Sequence, residues 1–103
     1  MKINTAGKYE ELATEWQYQM LLILKEKLKK HKVPIESSMQ ICGDFAFDLA
    51  ILQDQGVIEV DRKEFRPVIC FDNLEGELHF NTDDQFQLHD YAYGCSSELF
   101  ENE

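Results

Sequence analysis

The chain has 103 residues, 44% hydrophobic and 29% charged, with a formal net charge of −10. That is long enough for one domain with its own core, and too apolar for a disordered chain. The charge is lopsided: residues 1–33 hold seven Lys against four Glu, whereas residues 34–103 hold three basic residues against sixteen acids, and no Lys or Arg follows Arg66.

The charge excludes a nonspecific nucleic-acid binder, because phosphate contacts need cations. It favours a basic protein partner, whose approach an acidic surface accelerates. Cys42, Cys70 and Cys95 are odd in number and widely spaced. They read as free thiols of a reducing, cytoplasmic compartment, not as a disulfide frame. The first eleven residues lack the apolar run of a secretion signal, and nowhere is there a run of about 20 apolar residues that would span a membrane.

Residues 1–7 are polar, and Lys2, Ile3 and Asn4 are expected to dock on the domain. The spacing predicts a first helix over about 8–32. Tyr9, Leu12, Ala13, Trp16, Met20, Ile23 and Leu24 share one broad face at about 100° per residue. Glu10, Glu11 and Glu15 lie near its start, and Lys25, Lys27, Lys29, Lys30 and Lys32 near its end, as the helix dipole favours. Val33-Pro34 stops it.

A second helix is expected over about 38–55, entered through the capping-box pattern at Ser38 or, alternatively, at Asp44. Gly56 closes it as a C-cap glycine. Both helices carry apolar residues off their main face: Tyr18 and Leu22 on the first, Phe47 and Ile51 on the second. Such pairs arise where each helix packs on the other and also on a sheet. They are equally the candidate surface of a self-associating module, a homodimer for instance.

From Val57 the apolar period becomes two. Strands are expected at about 57–60, 65–71, 77–81 and 85–91, joined by the polar stretch 61–64, the turn 72–76 and the turn 81–84. The architecture is then α+β: two N-terminal helices on a four-stranded antiparallel meander with one wet face. A winged-helix-like arrangement is the alternative, without DNA binding, because the second helix carries Asp44, Asp48 and Asp54 and no Lys or Arg. Pro67 points to an edge or bulge in the 65–71 strand. Cys70 within that strand is expected to be buried, and Cys95 accessible. Leu99 and Phe100 are expected to dock.

No nucleophile motif, phosphate loop or paired metal-ligand spacing is present, so neither an enzyme nor a metal or cofactor protein is expected. The weak exceptions are His79 and His89, which the meander would place on neighbouring strands with Glu77 or Asp90 beside them. The reading that remains is a protein-binding module. Asp72, Glu75, Glu77, Asp83, Asp84 and Asp90 form its candidate partner surface. Inhibitors and immunity-type proteins of nucleases, and nucleic-acid mimics, bind basic partners in this way. A small-molecule or metal-binding domain using Phe86, Tyr91 and Tyr93 is the second class.

Overall fold

The computed structural model describes residues 2–4, 8–80 and 88–101. In chain order they form β1 (Lys2–Asn4), α1 (Tyr9–Lys30), α2 (Ile35–Gln55), β2 (Ile58–Val60), β3 (Lys63–Phe65), β4 (Cys70–Asp72), β5 (Glu77–Phe80), a 3-10 turn (Leu88–Tyr91) and α3 (Ala92–Leu99). The class is α+β, and no helix is long and apolar enough to cross a membrane among the described residues.

Helix α1 ends in a Schellman motif. The amide of Lys32 donates to Lys29 O (3.0 Å) and that of Val33 to Leu28 O (3.0 Å). This geometry needs a left-handed residue after the cap, normally glycine. Here Lys32 takes it, at φ 62°. The turn sends α2 back antiparallel to α1, so that Leu21 meets Cys42 in one buried cluster and Ala13 meets Ala50 in another. Small residues on α2 (Cys42, Ala46, Ala50) set the close approach of the helices.

The second helix begins at Ile35, one turn before the expected Ser38 start. Pro34, at φ −55° and ψ 147°, is its N-cap, and the Pro34 carbonyl accepts from Ser38 N at 2.9 Å. Proline's fixed φ suits a helix entry and competes successfully with the Ser38 capping box. Gly56 is the C-cap, as expected, but for another reason. Its backbone is extended (φ −68°, ψ 145°), and it is the space that is glycine-specific: an added Cβ would lie 2.2 Å from Leu52 O.

The four-stranded meander does not form. One sheet has the order β1-β5-β4, with β1 parallel to β5 and β4 antiparallel to it; the other is the hairpin β2–β3. The register pairs Ile3 with Leu78, and Phe71 with His79. The expected strand 65–71 splits, and Pro67 falls in its irregular middle, where no ladder needs an amide. The Tyr9 hydroxyl holds that middle by donating to Ile69 O at 2.9 Å. Phe71 of β4 then packs its ring near Tyr9 (5.6 Å) and Trp16 (6.5 Å), which fixes the sheet to α1.

The expected last strand is also overturned where it is described, since residues 88–91 are a 3-10 turn leading into α3. Asp54 explains the change. Its carboxylate accepts from Leu88 N (3.1 Å), His89 N (3.0 Å) and His89 Nδ1 (2.8 Å). An anion at the start of a helical stretch satisfies amides that have no partner within it. Helix α3 then inserts Ala92, Cys95, Leu99 and Phe100 against Leu21 and Cys42. Lys25 fastens its end, donating to Leu99 O at 3.0 Å with its ammonium 4.8 Å from the Phe100 ring centroid. Leu99 and Phe100 thus dock as expected.

Candidate functional site: the acidic β4–β5 turn and its surroundings

Of the six acids expected to meet a partner, Asp72, Glu75 and Glu77 lie together on the turn between β4 and β5. Asp90 belongs to the 3-10 turn, and Asp83 and Asp84 lie outside the described residues, as does Phe86.

The β4–β5 turn is braced by its own side chains. Asp72 Oδ1 accepts from Leu74 N at 2.8 Å, and Asn73 Oδ1 accepts from Glu75 N at 2.8 Å and Glu77 N at 3.2 Å. Short polar side chains at such positions replace missing backbone partners. Asn73 N closes the hairpin on Glu77 O at 3.0 Å, and Lys2 N docks β1 on Gly76 O at 2.9 Å. The backbone carries a cost at the tip. Gly76 has φ 88° and Leu74 has φ 65°, with Leu74 90% exposed. A leucine in the left-handed region is strained, and so large an apolar side chain gains almost nothing here by burial. The result is an apolar knob among carboxylates. The nearest cation in register is Lys2, paired with Glu77, and His79 Nε2 lies 3.3 Å from Glu77 Oε1.

The residues considered for self-association occupy other places. Tyr18, Leu22 and Phe47 pack against the core cluster that contains α3, and Ile51 is half-buried. Phe47 stacks on Tyr93 of the chain's own third helix, which stands where a sheet was expected. A different apolar stripe is exposed: Trp16 and Ile23 on α1, with Ile41, Phe45 and Leu52 on α2.

The histidines do not converge. His79 is on β5, while His89 is held by Asp54 and has Phe47 edge-on at 5.6 Å. His89 Nε2 lies 3.6 Å from Asp90 Oδ1. No group of three His, Cys, Asp or Glu side chains among the described residues could hold a metal ion. The Asp54–His89 pair resembles part of a catalytic relay, but its carboxylate also caps two amides, which is a structural task.

The expected thiol environments are reversed. Cys70 is exposed, on a short strand beside an open turn, whereas Cys95 is buried and directs its thiol to Thr14 O at 3.8 Å. Burial pushes the Cys95 thiol above its ordinary value, with Glu98 and Glu15 adding to the rise. Burial likewise raises Cys42, against a smaller lowering by Lys25.

Tyr93 lines an open groove of about 260 Å³ between α2 and α3, together with Met39, Gln40, Gly43, Asp44, Ser96 and Ser97. Its ring sits where a Cβ on Gly43 would be 3.1 Å away, and its hydroxyl donates to Asp44 Oδ1 at 3.3 Å. Tyr91 instead donates to the Glu10 carboxylate, so the two tyrosines serve different contacts. The strained Leu74 had no signal in the sequence beyond its place between Asn73 and Glu75. The exposed stripe was hidden because its members share the helical period of core residues. No family model matches the chain, and no curated protein or solved structure does.

Proposed function

We propose that the chain is a small protein-binding module of the cytoplasm that meets a basic partner through the β4–β5 turn. The observation that carries this reading is Leu74, held at φ 65° and 90% exposed between Asp72, Glu75 and Glu77. Strain that brings no gain to the fold is frequently kept for recognition. An apolar knob ringed by acids suits a partner surface with an apolar hollow among Lys and Arg. The acids would steer and align that partner, and the leucine would supply desolvated contact. Inhibitors and immunity-type proteins of nucleases, and nucleic-acid mimics, are the class this chemistry fits best. The reading invokes no catalytic group and no cofactor.

The test compares capture of proteins from native-host lysate by the immobilised wild-type chain and by a Leu74→Ser/Glu75→Lys variant, each eluted by a salt step. A basic protein retained by the wild type, released at moderate salt and lost with the variant supports the reading. Retention indifferent to salt, or unchanged in the variant, removes it.

A further inference from the structure

The α1–α2 hairpin has two broad faces, and α3 covers only one of them. On α2, α3 lies over Gly43 and Phe47, through the Tyr93 ring above Gly43 and its stack on Phe47 at 5.5 Å. On α1, α3 meets Thr14 and Lys25 through Cys95 and Leu99. At about 100° per residue, Ile41, Phe45 and Leu52 fall on the opposite side of α2, and Trp16 and Ile23 on the opposite side of α1. Burial agrees with this geometry, for those five side chains are 41–60% exposed. Met20 and Leu49, half-buried, lie between them. The stripe thus has members on both helices. Among the described residues, the sheet meets the stripe at Trp16, through Phe71.

We propose that this face is the interface of a homodimer, in which two α1–α2 hairpins stack as a four-helix bundle about a two-fold axis. The inference is independent of the acidic-turn reading and uses other elements. Two observations favour a second copy. The first is area. The five side chains expose on the order of 500 Å² per copy, so with half-buried neighbours and a rim a pair reaches the roughly 1,200 Å² at which specific interfaces begin. The second is charge. Apart from Glu10 and Lys25, which are turned to Tyr91 and to the end of α3, helix α1 carries Glu11 and Glu15 in its first half and Lys27, Lys29 and Lys30 in its second. Laid antiparallel on its own copy, it sets acids against bases; laid parallel, it sets like against like. A two-fold axis perpendicular to α1 produces the antiparallel arrangement, and isologous pairing of this kind is the commonest in homo-oligomers. Asp48, exposed beside Phe45, then lies at the wet rim.

Sedimentation equilibrium of the full chain tests this directly. The expected mass is twice 12.1 kDa at tens of micromolar and above. Phe45→Glu should return it to 12.1 kDa, and because Phe45 is exposed in the single chain, far-UV circular dichroism should stay unchanged. If Phe45→Glu misfolds, Ile23→Glu on the other helix makes the same test. Combining Lys27→Glu with Lys30→Glu should weaken the dimer at least several-fold, with Glu11→Lys and Glu15→Lys restoring part of it. A wild-type mass of 12.1 kDa at all concentrations overturns the proposal, as does a dimer that survives both apolar substitutions. A face that stays monomeric yet binds another protein would also overturn it.

Discussion

Leu74→Gly should stabilise the fold although it deletes a large apolar side chain. Leu74 sits at φ 65° and is 90% exposed. Holding an L-residue in the left-handed region costs about 1–2 kcal/mol. Glycine removes that cost but returns about 0.5–1 kcal/mol through its freer unfolded chain. The tenth of the side chain that is covered contributes only about 0.2 kcal/mol by burial. The net expectation is a gain of about 0.5 kcal/mol, or roughly 2–4 °C in Tm for a domain of this size. Leu74→Ala keeps the backbone cost and should change stability by less than about 0.5 kcal/mol. Gly76→Ala is the mirror experiment. Its φ is 88° and nothing lies within 4 Å of an added Cβ, so its loss of about 1 kcal/mol would be purely conformational. Urea unfolding of the three variants decides the matter. Should Leu74→Gly prove less stable than Leu74→Ala, the turn does not hold Leu74 in the left-handed region and the strain argument fails. A gain in stability together with lost partner capture would show that the leucine serves recognition at the expense of the fold.

Three further outcomes follow from buried groups. Gln17→Leu should stabilise by about 1 kcal/mol in urea unfolding, because Gln17 is buried and its Oε1 has no partner among the described residues; a loss instead would mean that the amide is fully satisfied. Asp54→Ala should cost about 2–3 kcal/mol by removing the acceptor of two amides and the His89 ring, and hydrogen exchange should show 88–91 opening before the α1–α2 pair. Alkali should weaken the fold. Cys42, Cys95 and Tyr9 are raised in the folded state, chiefly by burial, so unfolded thiols release protons from about pH 9 and the unfolded phenol from about pH 10 while the folded groups retain theirs. Their stabilising contribution is complete below those values and declines above them. Cys42→Ala with Cys95→Ala should flatten the first part of the decline in Tm, and an unchanged slope would contradict the assignment.

The helices were legible in the sequence because their signals are local and redundant. In α1 the apolar period, the charge order and the Val33-Pro34 stop all agree, and the observed Tyr9–Lys30 falls inside the expected range. The paired off-face residues pointed to a second packing layer, expected to be a sheet and supplied instead by α3. The β half was less legible because its decisive interactions are long-range. Strand β1 joins β5 in parallel across more than seventy residues of chain, which no alternation in either segment encodes. QFQLHDY alternates like a strand, yet its last four residues are helical because Asp54, distant in sequence, supplies an anion to their amides. The hairpin was misjudged by turn chemistry. Asp61 and Arg62 both take positive φ, which makes a tight two-residue turn where the sequence offers no glycine. The acids were legible as composition, but the placing of Asp72, Glu75 and Glu77 at the β4–β5 turn and of Asp90 on the 3-10 turn was not.

Acidity and apolar exposure in this chain act on the same process, association between molecules. All six residues of β2 and β3 are exposed, among them Ile58, Val60 and Phe65, and the α1–α2 face adds five more large apolar side chains. A lone two-stranded hairpin is marginal in water, and apolar patches of this extent promote association. A charge of −10 opposes indiscriminate association, because every encounter between copies begins with repulsion. It does not oppose all encounters equally. In the proposed homodimer, antiparallel α1 helices would bring Lys27, Lys29 and Lys30 towards Glu11 and Glu15 of the second copy, which makes that approach less repulsive than a parallel one. Among the described residues, Asp72, Glu75 and Asp90 lie outside that contact, on the β4–β5 turn and the 3-10 turn. On that proposal the order of charge along α1 selects the antiparallel mode of self-contact from an otherwise adhesive surface, and would leave the acidic turn to the proposed basic partner.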